Sequence, residues 1–268
     1  MLPYLQDEQI IVTMPGNFAS LCFNRILNEN NINKKIHLVE SVSLPYACRV
    51  ERPGNVHILD IKNNLSLSML GENQNQNMIS HLKEILPCCI EIQKNIFSAG
   101  FNCLNGIMHP ATVLLNTGWT ETTKGDFYFY KDGVSESVGK LLDKLDCERR
   151  KVAEKYGFST VPFVDMLEQF YGNKYPDIGT FARNSKIHNK LKASPSSLNN
   201  RYVSEDVPYI LVPWYNLAKL ANCEVPAMET IISLASILSE HDYLKEGRNL
   251  ASMGLQDLSK EEVTNLIQ

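Results

Sequence analysis

Apolar residues near the start of the chain fall in short runs that indicate two strands separated by a helix. Residues 9–14 (QIIVTM) form an apolar, β-branched run that ends at a Pro-Gly turn. Residues 18–28 show apolar positions at helical spacing, with Asn17 as a candidate N-cap, and residues 35–40 (KIHLVE) form a second strand. A strand–helix–strand unit of this spacing predicts parallel strands in a larger sheet.

A β-hairpin is predicted next, because apolar and polar residues alternate after the second strand. Val56 and Ile58 lie between polar neighbours, and residues 65–69 read LSLSM, with Pro53-Gly54 and Asn63-Asn64 as turns. Two parallel strands and a hairpin are too little sheet for a domain. We therefore expect that a further part of the sheet should precede residue 1.

From about residue 75 onward, the spacing of apolar residues indicates helices. The candidates, each bounded by Gly, Pro or polar clusters, are residues 77–86, 90–96, 106–115, 135–156, 161–171, 213–221 and 227–240. Residues 173–200, rich in Asn, Lys, Ser and Pro, are expected to be a connection with one short helix. The predicted fold class is α/β plus all-α: an incomplete parallel sheet with a terminal β-hairpin, followed by an all-helical domain.

Composition and charge narrow the class of protein further. The 268 residues are 44% hydrophobic and 21% charged, and the net charge of −4 favours neither nucleic acid nor an anionic membrane as a partner. No apolar run approaches the ~18 residues of a membrane span. Seven cysteines without a CxxC pair and six histidines without an HxxxH pair predict no metal site, and they favour free thiols in a reducing cytoplasm.

Two motifs in the helical part contain residues with candidate chemistry. Residues 105–110 (NGIMHP) lead into residues 114–118 (LLNTG), and residues 201–208 read RYVSEDVP. Further segments agree in order, namely residues 43–49 (SLPYACR), residues 146–149 (DCER) and Val225-Pro226. Together these motifs resemble the octopine/nopaline (opine) dehydrogenase family, over nearly the whole chain from Met14 to about Leu255.

The resemblance implies a two-domain oxidoreductase that condenses an amino acid with a 2-oxo acid, with NAD or NADP as the hydride carrier. Residues 1–86 would be the back part of its Rossmann-like nucleotide-binding domain. Residues 87–268 would be a helical substrate domain resembling the C-terminal domain of 6-phosphogluconate dehydrogenase. No two of the fourteen glycines are separated by one residue, so the GxGxxG turn that approaches the pyrophosphate is absent. We therefore expect a truncated chain that a separate N-terminal fragment could complement.

The resemblance also implies an acid–base pair formed by His109 and Asp206. Histidine is the side chain whose unperturbed pKa lies near neutral pH, and a carboxylate can orient its ring and stabilise its protonated form. The alternatives are a buried core histidine and an aspartate that caps the helix following it.

Three residues are expected to contact substrates. Arg201 would bind a substrate carboxylate through its planar fork, although a structural ion pair is the alternative. Ser43 would contact the oxo acid, and Asn105 would fix the backbone around the histidine or touch the nicotinamide amide. The turn after the first strand is expected to line the nicotinamide side of the cleft through Pro15, Gly16 and Asn17.

Two other functions stay open at this point. One is a non-catalytic remnant that keeps a small-molecule cleft, or serves in oligomerisation, without redox chemistry. The other is a related two-domain dehydrogenase, such as a 2-hydroxy acid or ketopantoate-type reductase. Such enzymes typically use a lysine as the proton donor, and the His109 motif fits opine chemistry better.

Overall fold

The computed structural model of the chain describes residues 1–71, 76–192 and 194–267. The chain divides into two compact units. The first comprises Met1–Cys103, Gln169–Tyr171 and Leu250–Gln268, and the second comprises Leu104–Glu168 and Gly172–Asn249. The domains expected from the sequence, residues 1–86 and 87–268, divide the chain by sequence pattern rather than by contacts, and they stay a prediction.

A mixed sheet of four strands forms the centre of the first unit; in order across the sheet they are Gln9–Thr13 (β1), Ile36–Ser41 (β2), Asn64–Met69 (β5) and Cys89–Ile92 (β6). β1 (Gln9–Thr13) runs parallel to β2 (Ile36–Ser41), and α1 (Ala19–Glu29) connects them, which confirms the predicted strand–helix–strand unit. β5 (Asn64–Met69) pairs antiparallel with β2, and β6 (Cys89–Ile92) pairs parallel with β5. The sheet therefore contains both parallel and antiparallel pairs.

The predicted hairpin exists, but with different strands. β3 (Tyr46–Arg52) pairs with β4 (Asn55–Ile61) in a separate two-stranded sheet, and the turn between them has Gly54 at a φ of 78°. Glycine suits this left-handed conformation because it has no Cβ. The turn at Pro53-Gly54 is confirmed, whereas residues 65–69 are not a hairpin strand but part of β5 in the central sheet.

The helix predicted over residues 90–96 is wrong. Residues 89–92 form β6, and a helix begins only at the next segment, α3 (Ile96–Phe101). A short apolar run fits a strand as well as a helix. Here the edge of β5 that does not pair with β2 supplies hydrogen-bond partners for an extended chain. The first unit also contains α2 (Gln76–Ile85) and α13 (Lys260–Ile267), and its core includes edge-to-face contacts among Phe18, Phe97 and Phe101.

The second unit is helical, as predicted. Its elements are α4 (Asn105–Leu115), α5 (Thr117–Thr123), α6 (Glu136–Lys155), most of α7 (Phe163–Tyr171), α8 (Ile178–Asn184), α9 (Arg201–Ser204), a π-helical turn (Val207–Leu211), α10 (Val212–Leu220), α11 (Pro226–Ser239) and α12 (Tyr243–Glu246). In the described part of the chain, no helix combines the length and the apolar character needed to cross a membrane.

Helix α4 is the central helix of this unit, since every residue from Gly106 to Leu114 is buried. A helix buried on all sides needs neighbours that approach closely. A Cβ atom on Gly106 would lie 2.5 Å from Cγ2 of Ile210 and 3.3 Å from Cζ3 of Trp214. The glycine therefore lets the π-helical turn and α10 pack directly against the N-terminal turn of α4.

Buried charged residues on α6 hold the neighbouring helices. The carboxylate of Glu148 accepts hydrogen bonds from the backbone N–H groups of Ala227 and Met228, both at 3.0 Å, and so caps the N-terminus of α11. Asp146 accepts a hydrogen bond from Arg149 at 2.6 Å and one from the first backbone N–H of α7 at 3.3 Å. The DCER segment therefore has a structural role in the second unit.

Candidate active site

His109 and Asp206 lie in direct contact in the second unit. Nδ1 of His109, on α4, is 2.7 Å from Oδ2 of Asp206, which lies immediately before the π-helical turn. Both residues are buried, with exposed fractions of 9% and 8%. An ionised carboxylate can only accept a hydrogen bond, so the Nδ1–H group donates to Asp206. Nε2 is then the ring atom that can take up and release a proton.

Aromatic side chains surround the imidazole and set its orientation. The ring of Tyr202 stacks on it at a centroid distance of 4.0 Å and an interplanar angle of 24°. The Tyr130 hydroxyl lies 3.4 Å from Nε2, and Phe129 packs at a tilted angle with its centroid 6.1 Å away. Stacking and two polar contacts therefore fix the plane of the ring and the direction of Nε2.

The turn that carries Tyr130 is attached to α4 by Asn116. The side-chain amide of Asn116 donates to the backbone oxygens of Thr112, at 2.8 Å, and of Gly133, at 2.9 Å. The asparagine of the LLNTG motif thus connects the helix carrying His109 to the loop carrying Tyr130. Sequence reasoning missed both tyrosines; the aromatic run at residues 127–130 (FYFY) was the available signal for Tyr130.

Arg201 and Asn105 are the other predicted site residues in the second unit. Arg201 is the first residue of α9, is exposed, and places its guanidinium carbon 5.5 Å from the ring centroid of Tyr202. It forms no ion pair with any acidic residue that the structure describes. Asn105, the first residue of α4, is partly exposed, and no described residue forms a hydrogen bond with its amide. Their roles toward substrates stay predictions.

Ser43, in the first unit, contacts a lysine that sequence reasoning missed. The Lys62 ammonium donates hydrogen bonds to Oγ of Ser43 and, at 2.7 Å, to the backbone oxygen of Leu44. It also lies 4.6 Å from the ring centroid of Phe170. Only 6% of Lys62 is exposed. Loss of water around the ammonium lowers the pKa of Lys62 from 10.5 to about 8, and the nearby thiols of Cys103, Cys88 and Cys48 oppose this shift.

The turn at Pro15, Gly16 and Asn17 has no free helix N-terminus to offer to a phosphate. Glu40 is fully buried, and its carboxylate accepts hydrogen bonds from the backbone N–H groups of Phe18, at 2.9 Å, and Ser20, at 2.7 Å. The expected capping of α1 by Asn17 is therefore wrong: Asn17 and Phe18 have φ values of 53° and 66°, and Glu40 is the cap.

Gly16 is required for this arrangement, because a Cβ atom there would lie 2.3 Å from Cβ of Glu40. A pyrophosphate at the N-terminus of α1 would meet the buried carboxyl group of Glu40, whose oxygens already accept the N–H groups that the pyrophosphate needs as donors. The turn therefore does not fit a phosphate cradle. Its expected contact with the nicotinamide side, through Pro15, Gly16 and Asn17, stays a prediction. Within the described ranges, no three His, Cys, Asp or Glu side chains are grouped as metal ligands.

Comparison with known proteins identifies the family of the chain. A family model described as NAD/NADP octopine/nopaline dehydrogenase, alpha-helical domain, matches residues 92–239. The chain is 29% identical to opine dehydrogenase from Arthrobacter sp. (strain 1C) over 266 residues, which cover 99% of this chain and 73% of that protein. It is 27% identical to vitopine synthase from Allorhizobium ampelinum over 251 residues, covering 93% and 68% of the two chains.

A solved structure supports the fold. Octopine dehydrogenase with NADH and L-arginine superposes on the chain with a TM-score of 0.73 at 18% identity, covering 98% of this chain and 73% of that one. The family model covers the helices that carry His109 and Asp206, and it extends over more than half of the chain. The chain therefore belongs to the octopine/nopaline dehydrogenase family of NAD(P)-dependent oxidoreductases.

Proposed function

We propose that the chain catalyses the reductive condensation of an amino acid with a 2-oxo acid, with His109 as the acid–base group. The contact of 2.7 Å between His109 and Asp206 carries this proposal. It places an imidazole in a buried, aromatic environment, with its second nitrogen held toward the hydroxyl group of Tyr130. That arrangement suits a reaction in which an amine loses protons and a hydroxyl group leaves as water.

Each residue has a defined part in the proposed reaction. Nε2 of His109 transfers two protons in succession from the attacking amino group to the oxo oxygen, which first becomes a hydroxyl group and then leaves as water; a proton from solvent completes the amine after the imine is reduced. Asp206 keeps the Nδ1–H group in place and stabilises the imidazolium. Arg201 holds a substrate carboxylate, Asn105 positions a reactant at the start of α4, and Ser43 donates to the oxo acid. NAD(P)H, when bound, supplies the hydride that reduces the imine.

The dinucleotide needs a phosphate cradle that the β1–α1 turn does not provide, because Glu40 occupies the helix N-terminus. The chain spans 73% of the Arthrobacter opine dehydrogenase. A separate segment carrying a strand, a GxGxxG turn and a helix is part of the proposal, and it defines one arm of the experiment.

The experiment measures NAD(P)H oxidation with pyruvate and each amino acid, with and without that segment added, and identifies the product by mass spectrometry. We expect oxidation that depends on the amine and a product joining both substrates. His109→Asn should reduce kcat/KM by about 10²- to 10⁴-fold, the usual range for an acid–base group. The exposed His81 provides the control, because His81→Asn should leave the rate unchanged.

Two outcomes would favour the other functions. NAD(P)H oxidation at a rate that does not depend on the amino acid would indicate a 2-hydroxy acid or ketopantoate-type reductase. Absence of dinucleotide binding in a fluorescence titration, even with the added segment, would indicate a non-catalytic binding or oligomerisation module. Either result would exclude opine formation by this chain.

A further inference from the structure

Lys62 carries a buried charge that has no acidic partner. Lys62 follows β4 in the chain, only 6% of the residue is exposed, and no Asp or Glu in the described part of the chain forms an ion pair with it. Its partners are neutral: Oγ of Ser43, the backbone oxygen of Leu44, and the face of Phe170. Burying an ammonium without a counter-charge costs free energy, so a structural role alone would favour an apolar residue here.

The Ser43 hydroxyl has an unused proton beside this charge. An ammonium can only donate, so Ser43 accepts from Lys62 through its oxygen. No described residue accepts a hydrogen bond from the Ser43 hydroxyl, and the residue is partly exposed whereas Lys62 behind it is buried. The serine therefore presents a donor that the adjacent ammonium polarises.

Hydrogen bonds hold the backbone on both sides of the contact between Ser43 and Lys62. The Ser41 hydroxyl donates to the backbone oxygen of Ser43 at 2.7 Å, and the backbone N–H of Asn63, next to Lys62, donates to the backbone oxygen of Phe170 at 3.1 Å. Both ends of the contact are thus held by the fold before any ligand arrives. Such preorganisation is what a site for a small anion requires.

We propose that Lys62 is a positioning residue for the carboxylate of the 2-oxo acid: it directs the Ser43 O–H toward that carboxylate and neutralises its charge from behind. The inference rests on the proposed function, which places the oxo acid at Ser43. The inference adds Lys62, in addition to Arg201, as a second cationic residue of the proposed reaction.

Binding of pyruvate, measured by calorimetry with NADH present, tests this inference without relying on turnover. Lys62→Met should raise the Kd of pyruvate about tenfold, because a charge-assisted hydrogen bond is lost. Methyl pyruvate lacks the carboxylate charge, and its Kd should not change. The Kd of the amino acid should stay the same, and Lys35→Met should leave pyruvate binding unchanged, since Lys35 is an exposed lysine of the same unit.

A measurement on the wild-type chain covers the case in which Lys62→Met does not fold. In NMR spectra of the lysine ammonium groups, pyruvate should raise the pKa of Lys62, since a nearby carboxylate favours the charged form, and methyl pyruvate should not. Equal pyruvate affinity in wild type and Lys62→Met, an unmoved pKa, or no pyruvate binding to the wild type would each overturn the inference. Pyruvate binding that depends on Lys62, without opine formation, would support this site and reject the proposed function.

Discussion

In the proposed reaction, the contact between His109 and Asp206 decides which ring nitrogen of the histidine exchanges a proton with the substrate. With the carboxylate of Asp206 at 2.7 Å from Nδ1, the ring proton stays on that nitrogen, and Nε2 is left for the substrate. Asp206→Asn would replace an acceptor by an amide that can also donate, so the opposite tautomer becomes accessible. We expect kcat to fall by about 10²- to 10⁴-fold while the fold is retained, as measured by steady-state kinetics and circular dichroism.

Glu205 provides the matched control for this variant. It is the neighbouring acidic residue, it is exposed, and no described residue forms a hydrogen bond or ion pair with its side chain. Glu205→Gln removes the same charge from the same segment and should leave kcat within about twofold. Equal losses in both variants would show that overall charge, rather than the contact with His109, matters.

The buried ammonium of Lys62 makes stability depend on pH. The pKa is about 8 in the folded chain and 10.5 for an unperturbed lysine, so the unfolded state binds more protons between these values. The free energy of unfolding should therefore rise with pH from about 8 to 10.5, by about 3 kcal/mol in total, and be lower by that amount below pH 8. Urea unfolding at a series of pH values measures this rise.

Other groups also titrate in this range, so the difference between two variants isolates the lysine. Lys62→Met should lose this rise, whereas Lys35→Met should keep it because Lys35 is half exposed. Parallel pH profiles for wild type and Lys62→Met would mean that Lys62 keeps an ordinary pKa.

Among the elements, long helices were predictable and long-range contacts were not. Helices α4, α6, α7, α10 and α11 have apolar spacing over several turns, and the structure confirms them. β6 has four residues, too few to distinguish strand from helix by periodicity. Helix caps supplied from elsewhere in the chain leave no local signal: Glu40 caps α1 across 22 and 20 residues, and Glu148 caps α11 across 79 and 80.

In the candidate site, too, residues within local motifs were predictable, whereas residues that act through long-range contacts were not. His109 and Asp206 were named from motifs, although 97 residues separate them. Lys62, Tyr130 and Tyr202 were missed, because a buried lysine or a stacked tyrosine has a role only through the neighbours that the fold brings to it. Sequence motifs thus named two side chains that the fold places in contact, and tertiary packing decides what surrounds them.

The close packing at Gly106 affects both the arrangement of the helices and the geometry of the candidate site. Gly106→Ala would place a Cβ atom 2.5 Å from Ile210 and push the π-helical turn away from α4. Because Asp206 directly precedes that turn, its contact with His109 should lengthen. We expect a loss of about 1–3 kcal/mol in unfolding free energy, as for an overpacked core, and a fall in kcat of about tenfold.

Gly118, in the next helix, is the control glycine. No atom lies within 4 Å of a Cβ built there, so Gly118→Ala should change the unfolding free energy by less than about 1 kcal/mol and leave kcat unchanged. If Gly106→Ala behaved like Gly118→Ala in urea unfolding and in kinetics, the close approach of α4 and the π-helical turn would not matter.

For the whole molecule, the end of the chain belongs to the first unit, together with its beginning. Residues 250–267 follow the last helix of the second unit, yet they pack with the described residues of the segment that begins the chain. Arg25 on α1 donates a hydrogen bond to the backbone oxygen of Ser252 at 3.0 Å. Four apolar residues of this segment are at most 6% exposed: Met253, Leu255, Val263 and Ile267.

Removal of residues 250–268 should therefore unfold the first unit. Each buried apolar side chain contributes about 1.5–3 kcal/mol, and four of them approach the whole stability of a typical domain, about 5–15 kcal/mol. Hydrogen exchange should show loss of protection in β1, β2 and β5, with protection retained in α4 and α6. Leu266→Ala is the matched control, because Leu266 is 56% exposed and its truncation should leave exchange unchanged. Retained protection in β1 and β2 after the deletion would show that the segment does not hold the first unit together.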